Sequence, residues 1–413
     1  MRILLVTPTP PAPAAPSAVP VVAWAQLSAL SARHEVTLVT VAGPDPRELE
    51  ALERLRAAGF DVHAVERRDA SSVDRAARWL RNASRWAVQR RPMYVVWHHE
   101  SGLQRIIGGL CRQRAFDVVH VNDSAMAGYA FETRAPKLLV EVEARAPRPV
   151  DWTGWLRGNW YRGIMGEADW HFWPRYQRRV WRAFDRIELF TARDAETVAR
   201  LAPEVAPRLH VNPFGIELPA VSDPSLEEEG TIAFVGTYLH APNVDAARWL
   251  ALDVMPRLRA RTSGVLLHLY GVDPRGAIAD LARDDVRLHG WVPAIEPAIA
   301  RAAVIAAPVR VGGGQRMKVL QAMAMAKAIV TTPRGAEGFV MDDAALPMAI
   351  AESADAVAER IAELLADPAR RRALGARARA VAESHHDAAA YARRLEAAYA
   401  AMLGARAEEG VAS

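Results

Sequence analysis

The densest group of chemistry-bearing residues is Gly312-Gly-Gly-Gln-Arg-Met-Lys318, between the apolar run Val304–Ala307 and an apolar-periodic stretch starting at Met317. A strand ends, three glycines follow, and a helix is predicted to begin near Gln315 or Arg316. Glycines let the backbone turn its N–H groups toward an anion without side-chain obstruction. A helix N-terminus adds unsatisfied N–H groups and the positive end of its dipole. Arg316 and Lys318 bring two formal charges to the same place. Lysine is rare in this chain, occurring only at Lys137, Lys318 and Lys327, so its placement here is informative. Gly312, Gly313, Gly314, Gln315, Arg316 and Lys318 thus form a candidate diphosphate cradle, although a loop that needs glycine only to turn has the same composition. The spacing is neither GxxxxGK[ST] nor GxGxxG, since Met317 stands where the last glycine belongs. No Asp-x-Asp pair occurs, so the predicted neutralisation of a diphosphate is by side chains and helix dipole, with no metal and no cofactor expected.

A second set lies in the first half. Asn122 and Asp123 follow the apolar run ending at Val121, and Glu141 and Glu143 flank the next one. A carboxylate at Glu143 suits accepting hydrogen bonds or a proton at a strand end, and equally a solvated loop or a helix cap. His98, His99 and His120 are weaker candidates, and His120, inside an apolar strand, reads as a core histidine. The stretch 151–184 holds six of the twelve tryptophans, interleaved with arginines. That pattern suits a peripheral membrane contact, stacking on sugars, or a helix packing inward through large side chains.

These residues need positioning elements, and the patterning supplies them. Short apolar runs at Arg2–Thr7, Glu35–Val41, Asp61–Val65, Asp117–Val121, Lys137–Val142, Arg186–Thr191 and Arg208–Asn212 alternate with amphipathic stretches such as Val21–Ala32 and Pro46–Ala58. Pro213–Gly230, with three prolines and an acidic run, reads as a linker. The rhythm then restarts with strands at Thr231–Val235, Val265–Tyr270, Val286–Leu288, Val304–Ala307 and Ala328–Thr332. Between and after them come helices at Asn243–Arg261, Gly276–Ala282, Ile295–Arg301, Met317–Ala326, Ala354–Leu365, Arg370–Glu383 and Ala388–Leu403, with a frayed tail last. Strand–helix alternation predicts parallel sheets covered on both faces. The 413 residues suit two such domains. The expected division is 1–212, 213–387, and a returning C-terminal helix at 388–413.

Composition narrows the class. Half of the residues are apolar and a quarter charged, as in globular proteins. A net charge of +4 is small for this length and gives no nucleic-acid footprint. The single cysteine, Cys111, excludes an internal disulfide framework. The apolar start, Ile3 to Val6, reads as a strand rather than a secretory leader, and the expected location is cytoplasmic.

Several segments, taken in order, resemble the retaining GT-B glycosyltransferases of family 4, "group 1" type, in the branch with a GGGxRxKxLEAMA block. They are Asn212-Pro-Phe-Gly-Ile-Glu, Phe234-Val-Gly-Thr-Tyr-Leu-His-Ala-Pro-Asn, Leu288-His-Gly-Trp-Val-Pro, the block from Gly312, and Thr332-Pro-Arg-Gly-Ala-Glu-Gly-Phe. The resemblance covers about residues 205–400 well, and the first domain in pattern only. It implies an α/β GT-B fold, two doubly wound Rossmann-like domains facing across a cleft. It implies sugar transfer, with retention, from a nucleoside-diphosphate sugar to a carbohydrate, lipid-linked or small-molecule hydroxyl acceptor. It places Gly313, Gly314, Arg316 and Lys318 at the diphosphate, and the backbone of Trp291 and Val292 at the base. Gly236 would approach the donor, Gln321 would stand where relatives place a ribose-binding glutamate, and Glu337 lies in the loop after the block. Glu143 sits where relatives often have a histidine touching the transferred sugar. The first-strand glycine pair of the family is replaced by Pro8–Pro20, with Ser17 and Ala18 as the small residues. That departure and Gln321 leave a non-catalytic binding partner as the alternative, and a nucleotide-sugar epimerase as a third reading.

Overall fold

A computed structural model describes residues 1–67, 72–146, 160–273, 275–339 and 347–412, of which 72–75, 160–165, 407 and 409–412 are described by backbone alone. The chain divides into two compact units. One comprises Met1–Ala12, Ala23–Asn212 and Ala392–Ser413, the other Pro13–Val22 and Pro213–Tyr391.

The first unit is built on seven strands, β1 (Arg2–Thr7), β2 (Glu35–Ala42), β3 (Asp61–Glu66), β4 (Val118–Asn122), β5 (Lys137–Glu141), β6 (Arg186–Leu189) and β7 (Leu209–Val211). They pair in parallel in the order β3-β2-β1-β4-β5-β6-β7. The strands read as continuous apolar runs because helices cover both faces, and Ile3 to Val6 are fully buried. The order reverses between β1 and β4. In doubly wound sheets ligands bind at the carboxyl ends of the strands beside that reversal, where β4 delivers Asn122.

The second unit repeats the plan with β8 (Glu228–Val235), β9 (Leu266–Tyr270), β10 (Val286–Gly290), β11 (Ala302–Ala307), β12 (Ile329–Thr331) and β13 (Ala349–Ile350), in the order β10-β9-β8-β11-β12-β13. All named pairings are parallel. Its reversal falls between β8 and β11, the strands that lead into Gly236 and into the triple glycine. Phe234, Leu267, Leu269, Val304 and Ile361 belong to its core.

Three expectations on local structure need correcting. The stretch expected as helix Gly276–Ala282 contains only a 3-10 turn at Ala279–Leu281. Gly276 takes a left-handed φ of 64°, and the Asp273 carboxylate accepts from the Ala277 and Ile278 N–H groups at 2.8 and 3.0 Å. A side chain thus takes the N–H groups a helix would need. The expected helix Asn243–Arg261 is divided into Ala241–Trp249, a π-helical turn at Leu250–Val254 and Met255–Arg259. Finally, the C-terminal helix runs over Ala388–Ala412 instead of fraying after Leu403. Arg406 ties it down by donating to the Arg134 carbonyl and pairing with Asp185.

Candidate functional site

In the second unit the structure brings the ends of β8 and β11 together around three side chains. The helix Met317–Ala324 starts directly after the glycine loop, with Arg316 as its N-cap residue and no side chain capping its first turn. Gly312 and Gly314 have φ of 88° and 75°, the left-handed region open to glycine. A Cβ on Gly312 would lie 2.9 Å from Pro242 Cγ, so the loop rests on the start of the helix Ala241–Trp249. Arg316 is buried, and its guanidinium donates to the carbonyls of Gly313 at 2.7 Å and Gly312 at 3.0 Å. It therefore holds the loop's curvature by turning carbonyls inward.

Lys318, the second residue of the helix, is partly buried. Its Nζ donates to Asn243 Oδ1 at 2.6 Å and lies 4.2 Å from the Phe234 ring centroid. Burial, and secondarily the Arg316 charge, push its ammonium down to about 7. Asn243 in turn donates to the Thr237 carbonyl at 2.9 Å. A Cβ on Gly236 would sit 2.9 Å from Asn243 Cγ, so glycine is what allows the β8 end to close on this amide. In the sequence Asn243 and Phe234 stand only as parts of a motif. Their function as the lysine's seat depends on a tertiary approach across more than seventy positions, which no local spacing signals.

The other donor-side candidates divide. Gln315 is buried, with its amide oxygen accepting from the Phe214 N–H at 2.7 Å and its amide nitrogen 3.2 Å from His386 Nδ1. It fixes the chain entry into the unit. Trp291 is exposed and Val292 half-buried, just beyond β10. Glu337 pairs loosely with Arg334 at 3.7 Å at the end of the turn Pro333–Ala336. Gln321 lies on the helix Met317–Ala324, half-buried.

In the first unit Asn122 and Asp123 are buried at the end of β4. Asn122 belongs to a chain of polar groups: its amide donates to Gln26 at 2.5 Å and its oxygen lies 3.1 Å from His120, which reaches the Tyr399 hydroxyl at 2.5 Å. His120 is thus a core histidine, pushed down to about 4 by burial. Asp123 has a φ of 76°, uncommon without glycine, and its carboxylate accepts from the Ala125 N–H at 2.7 Å. Glu143 is half-buried and pairs with Arg145 at 3.4 Å.

Glu141 is the residue sequence reasoning undervalued. It is buried and accepts from Ser124 Oγ and, at 2.6 Å, from Trp181 Nε1. Burial, and then the neighbouring Asp123, raise it to about 8. A carboxyl raised in the folded state contributes stability that is present below its unfolded value and lost as pH rises through about 8. Glu141→Gln keeps an acceptor for Trp181 and removes that titration. Its urea midpoint should change less than the wild type's between about pH 6 and 8.5, and parallel curves would refute a buried, protonated Glu141.

The tryptophan-rich stretch lies partly outside the described residues, including Trp152, Trp155 and Arg157. In its described part, the helix Trp160–Trp181 buries Trp173 and Trp181 in the first unit's core, and Trp170 donates to the Ala146 carbonyl at 3.1 Å. Arg145 lies 4.0 Å over the Trp173 ring. There Trp173 and Trp181 pack inward, and His171 and arginines 175, 178, 179 and 182 are exposed.

Residues 229–367 match the model of the family described as glycosyl transferases group 1. No curated protein matches the sequence. Among solved structures, HepE of Anabaena in complex with UDP is 12% identical, with a TM-score of 0.65, covering 97% of this chain and 100% of that one. Sucrose-phosphate synthase from Thermosynechococcus elongatus is 15% identical, with a TM-score of 0.65 and coverage of 98% and 99%. TarM of S. aureus is 9% identical, with a TM-score of 0.64 and coverage of 96% and 99%. At such identities the likeness is one of fold, and the fold is the two-domain α/β architecture of GT-B glycosyltransferases.

Proposed function

We propose that this chain transfers a sugar from a nucleoside-diphosphate sugar to a hydroxyl acceptor, with retention at the anomeric carbon. The observation that carries the reading is the β8–β11 reversal itself. There a glycine loop, a helix N-terminus, Arg316 and Lys318 converge within the stretch that matches the glycosyltransferase family model. HepE was solved with UDP and with UDP-glucose, which supports a nucleotide-sugar donor here. In the proposed reaction the acceptor oxygen bonds to the anomeric carbon as the bond to the β-phosphate oxygen breaks. The leaving nucleoside diphosphate keeps the electron pair and takes the acceptor's proton. Lys318 and the helix N-terminus stabilise the charge that develops on the leaving phosphate, and Arg316 holds the loop that presents them, with no metal required. In this reading Gln321 and Trp291 contribute to donor binding, Asn122 and Asp123 to acceptor binding, and Glu143 to the chemistry. Binding without turnover is the second reading, favoured by the amide Gln321 where a carboxylate would hold the ribose more strongly.

Thermal shift with UDP, GDP, ADP and TDP tests this directly. One nucleotide at a hundred times its dissociation constant should add about 2.7 kcal/mol of stability, a rise of roughly 5–10 °C. Arg316→Ala should remove it by releasing the loop. A flat response to all four nucleotides in the wild type would sink the donor-site reading, and binding without sugar transfer to any acceptor would favour the second one.

A further inference from the structure

Arg67, just past β3, pairs with Glu100 at 3.0 Å, and Arg145, past β5, pairs with Glu143 at 3.4 Å. Arg85, Arg91 and Arg179 have no such carboxylate partner among the described residues. They come from separate elements. Arg85 lies in the last turn of a helix at Ser72–Ala87, Arg91 precedes a short helix at Met93–His98, and Arg179 lies near the end of the helix Trp160–Trp181. Arg90 turns the chain with a φ of 51°, uncommon for a residue with a side chain, and the Arg91 N–H donates to the Arg85 carbonyl at 3.3 Å. Two of the three guanidinium groups therefore start from one hydrogen-bonded turn.

The third arrives by tertiary packing. Arg179 Cζ lies 5.4 Å from the ring centroid of Tyr176, whose hydroxyl donates to the Ser124 carbonyl at 2.9 Å, just past the end of β4. Burial, then the Arg179 charge and after it that of Arg85, push Arg91 down. Its Nε is buried with no hydrogen-bond partner. Arg85 donates to the His99 carbonyl at 3.3 Å. His99 stacks on Tyr129 with ring centroids 5.2 Å apart. Burial, then Arg85 and Arg91, push its imidazole down to about 4, so at neutral pH the positive charge here belongs to arginine.

Like charges gathered without a counter-ion oppose folding, and a buried guanidinium donor left unmet adds to that cost. An anion removes both penalties. Each guanidinium presents a planar fork that matches phosphate or carboxylate oxygens two at a time. Three forks exceed what one carboxylate can use, whereas a phosphate monoester offers three acceptor oxygens and close to two charges. We infer that Arg85, Arg91 and Arg179 form an anion-binding site for a phosphate carried by the sugar acceptor. Its assignment to the acceptor rests on the proposed transfer, because Ser124 directly follows Asn122 and Asp123, the acceptor-binding pair of that reading. The anion site itself does not depend on it.

Titration of the full chain with inorganic phosphate, glucose 6-phosphate, glucose and butyl phosphate, read by calorimetry and thermal shift, tests the inference. Phosphate should bind, more weakly as salt rises, and glucose 6-phosphate should bind more tightly than glucose or butyl phosphate. Arg91→Ala should weaken phosphate binding about tenfold or more, and Arg179→Ala, at an exposed position, by a similar factor. Without phosphate, Arg91→Ala should melt at the wild-type temperature or above it, since the change removes a charge that its neighbours repel; an arginine with a merely structural role would lower it. Phosphate can also enter the glycine loop, so Lys318→Met is the control and should keep this binding. UDP should stabilise Arg91→Ala as it does the wild type. If UDP stabilises neither while phosphate binding stands, the donor reading fails and the anion site does not. No phosphate binding by the wild type, undiminished binding by Arg91→Ala, loss in Lys318→Met instead, or a lower melting temperature of Arg91→Ala without phosphate would each overturn the anion site. Glucose 6-phosphate binding no tighter than butyl phosphate would overturn its assignment to a sugar acceptor.

Discussion

Lys318→Met is expected to weaken nucleoside-diphosphate binding and sugar transfer by about a hundredfold or more, while leaving the fold intact. Methionine keeps the contact with Phe234 and removes the cation, so the loss reports charge at the phosphate rather than packing. The same lysine predicts opposite pH slopes for stability and for binding. Its ammonium is pushed from 10.5 to about 7 in the free protein. Between those values the unfolded chain binds more protons, so this group makes the protein more stable as pH rises. A bound diphosphate favours the charged lysine, so above about 7 binding must take up a proton and affinity falls, approaching tenfold per pH unit. Calorimetry in buffers of different ionisation enthalpy counts that proton directly. No proton uptake at about pH 8, or a Lys318→Met variant with unchanged affinity, would remove Lys318 from the site.

Asn243 gives that experiment a control. Its amide oxygen accepts from Nζ at 2.6 Å while its nitrogen is tied to Thr237, so it fixes where the cation stands without contributing charge. What could be read from the linear chain was the cation and its glycines, because Gly312 to Lys318 are adjacent and their roles follow from local backbone freedom and formal charge. The strands were legible for a similar reason: β1 begins and ends where the apolar run does, since a doubly covered parallel strand advertises itself over consecutive residues. Asn243, Phe234 and Glu141 were not legible, because each acquires its role only when separate strand ends meet. The Gly276 turn failed for a different cause, as Asp273 competes for the backbone in a way that composition does not show.

Gly271→Ala should destabilise the second unit by about 3 kcal/mol or more and abolish nucleotide binding in whatever fraction still folds. The residue follows β9 with a φ of 134°, a region closed to side chains, and a Cβ there would lie 1.7 Å from the Gly236 carbonyl oxygen. That oxygen cannot retreat cheaply, because the Gly236 N–H donates to the Tyr270 carbonyl at 2.9 Å and the Gly271 N–H donates to Gly290 at 2.7 Å. The ends of β8, β9 and β10 are therefore laid edge to edge through three glycines, and the position of Asn243 against Gly236 depends on that stacking. Gly264→Ala provides the comparison. Its φ is 71°, yet nothing lies within 4 Å of a Cβ there, so the backbone strain alone should cost about 1 kcal/mol and leave binding untouched. If urea unfolding shows equal losses for the two variants, conformational strain explains both and the close approach of Gly271 to Gly236 contributes nothing. A loss two to three times larger at Gly271, with binding gone, ties the nucleotide site to a backbone contact made two strands away from the cradle it serves.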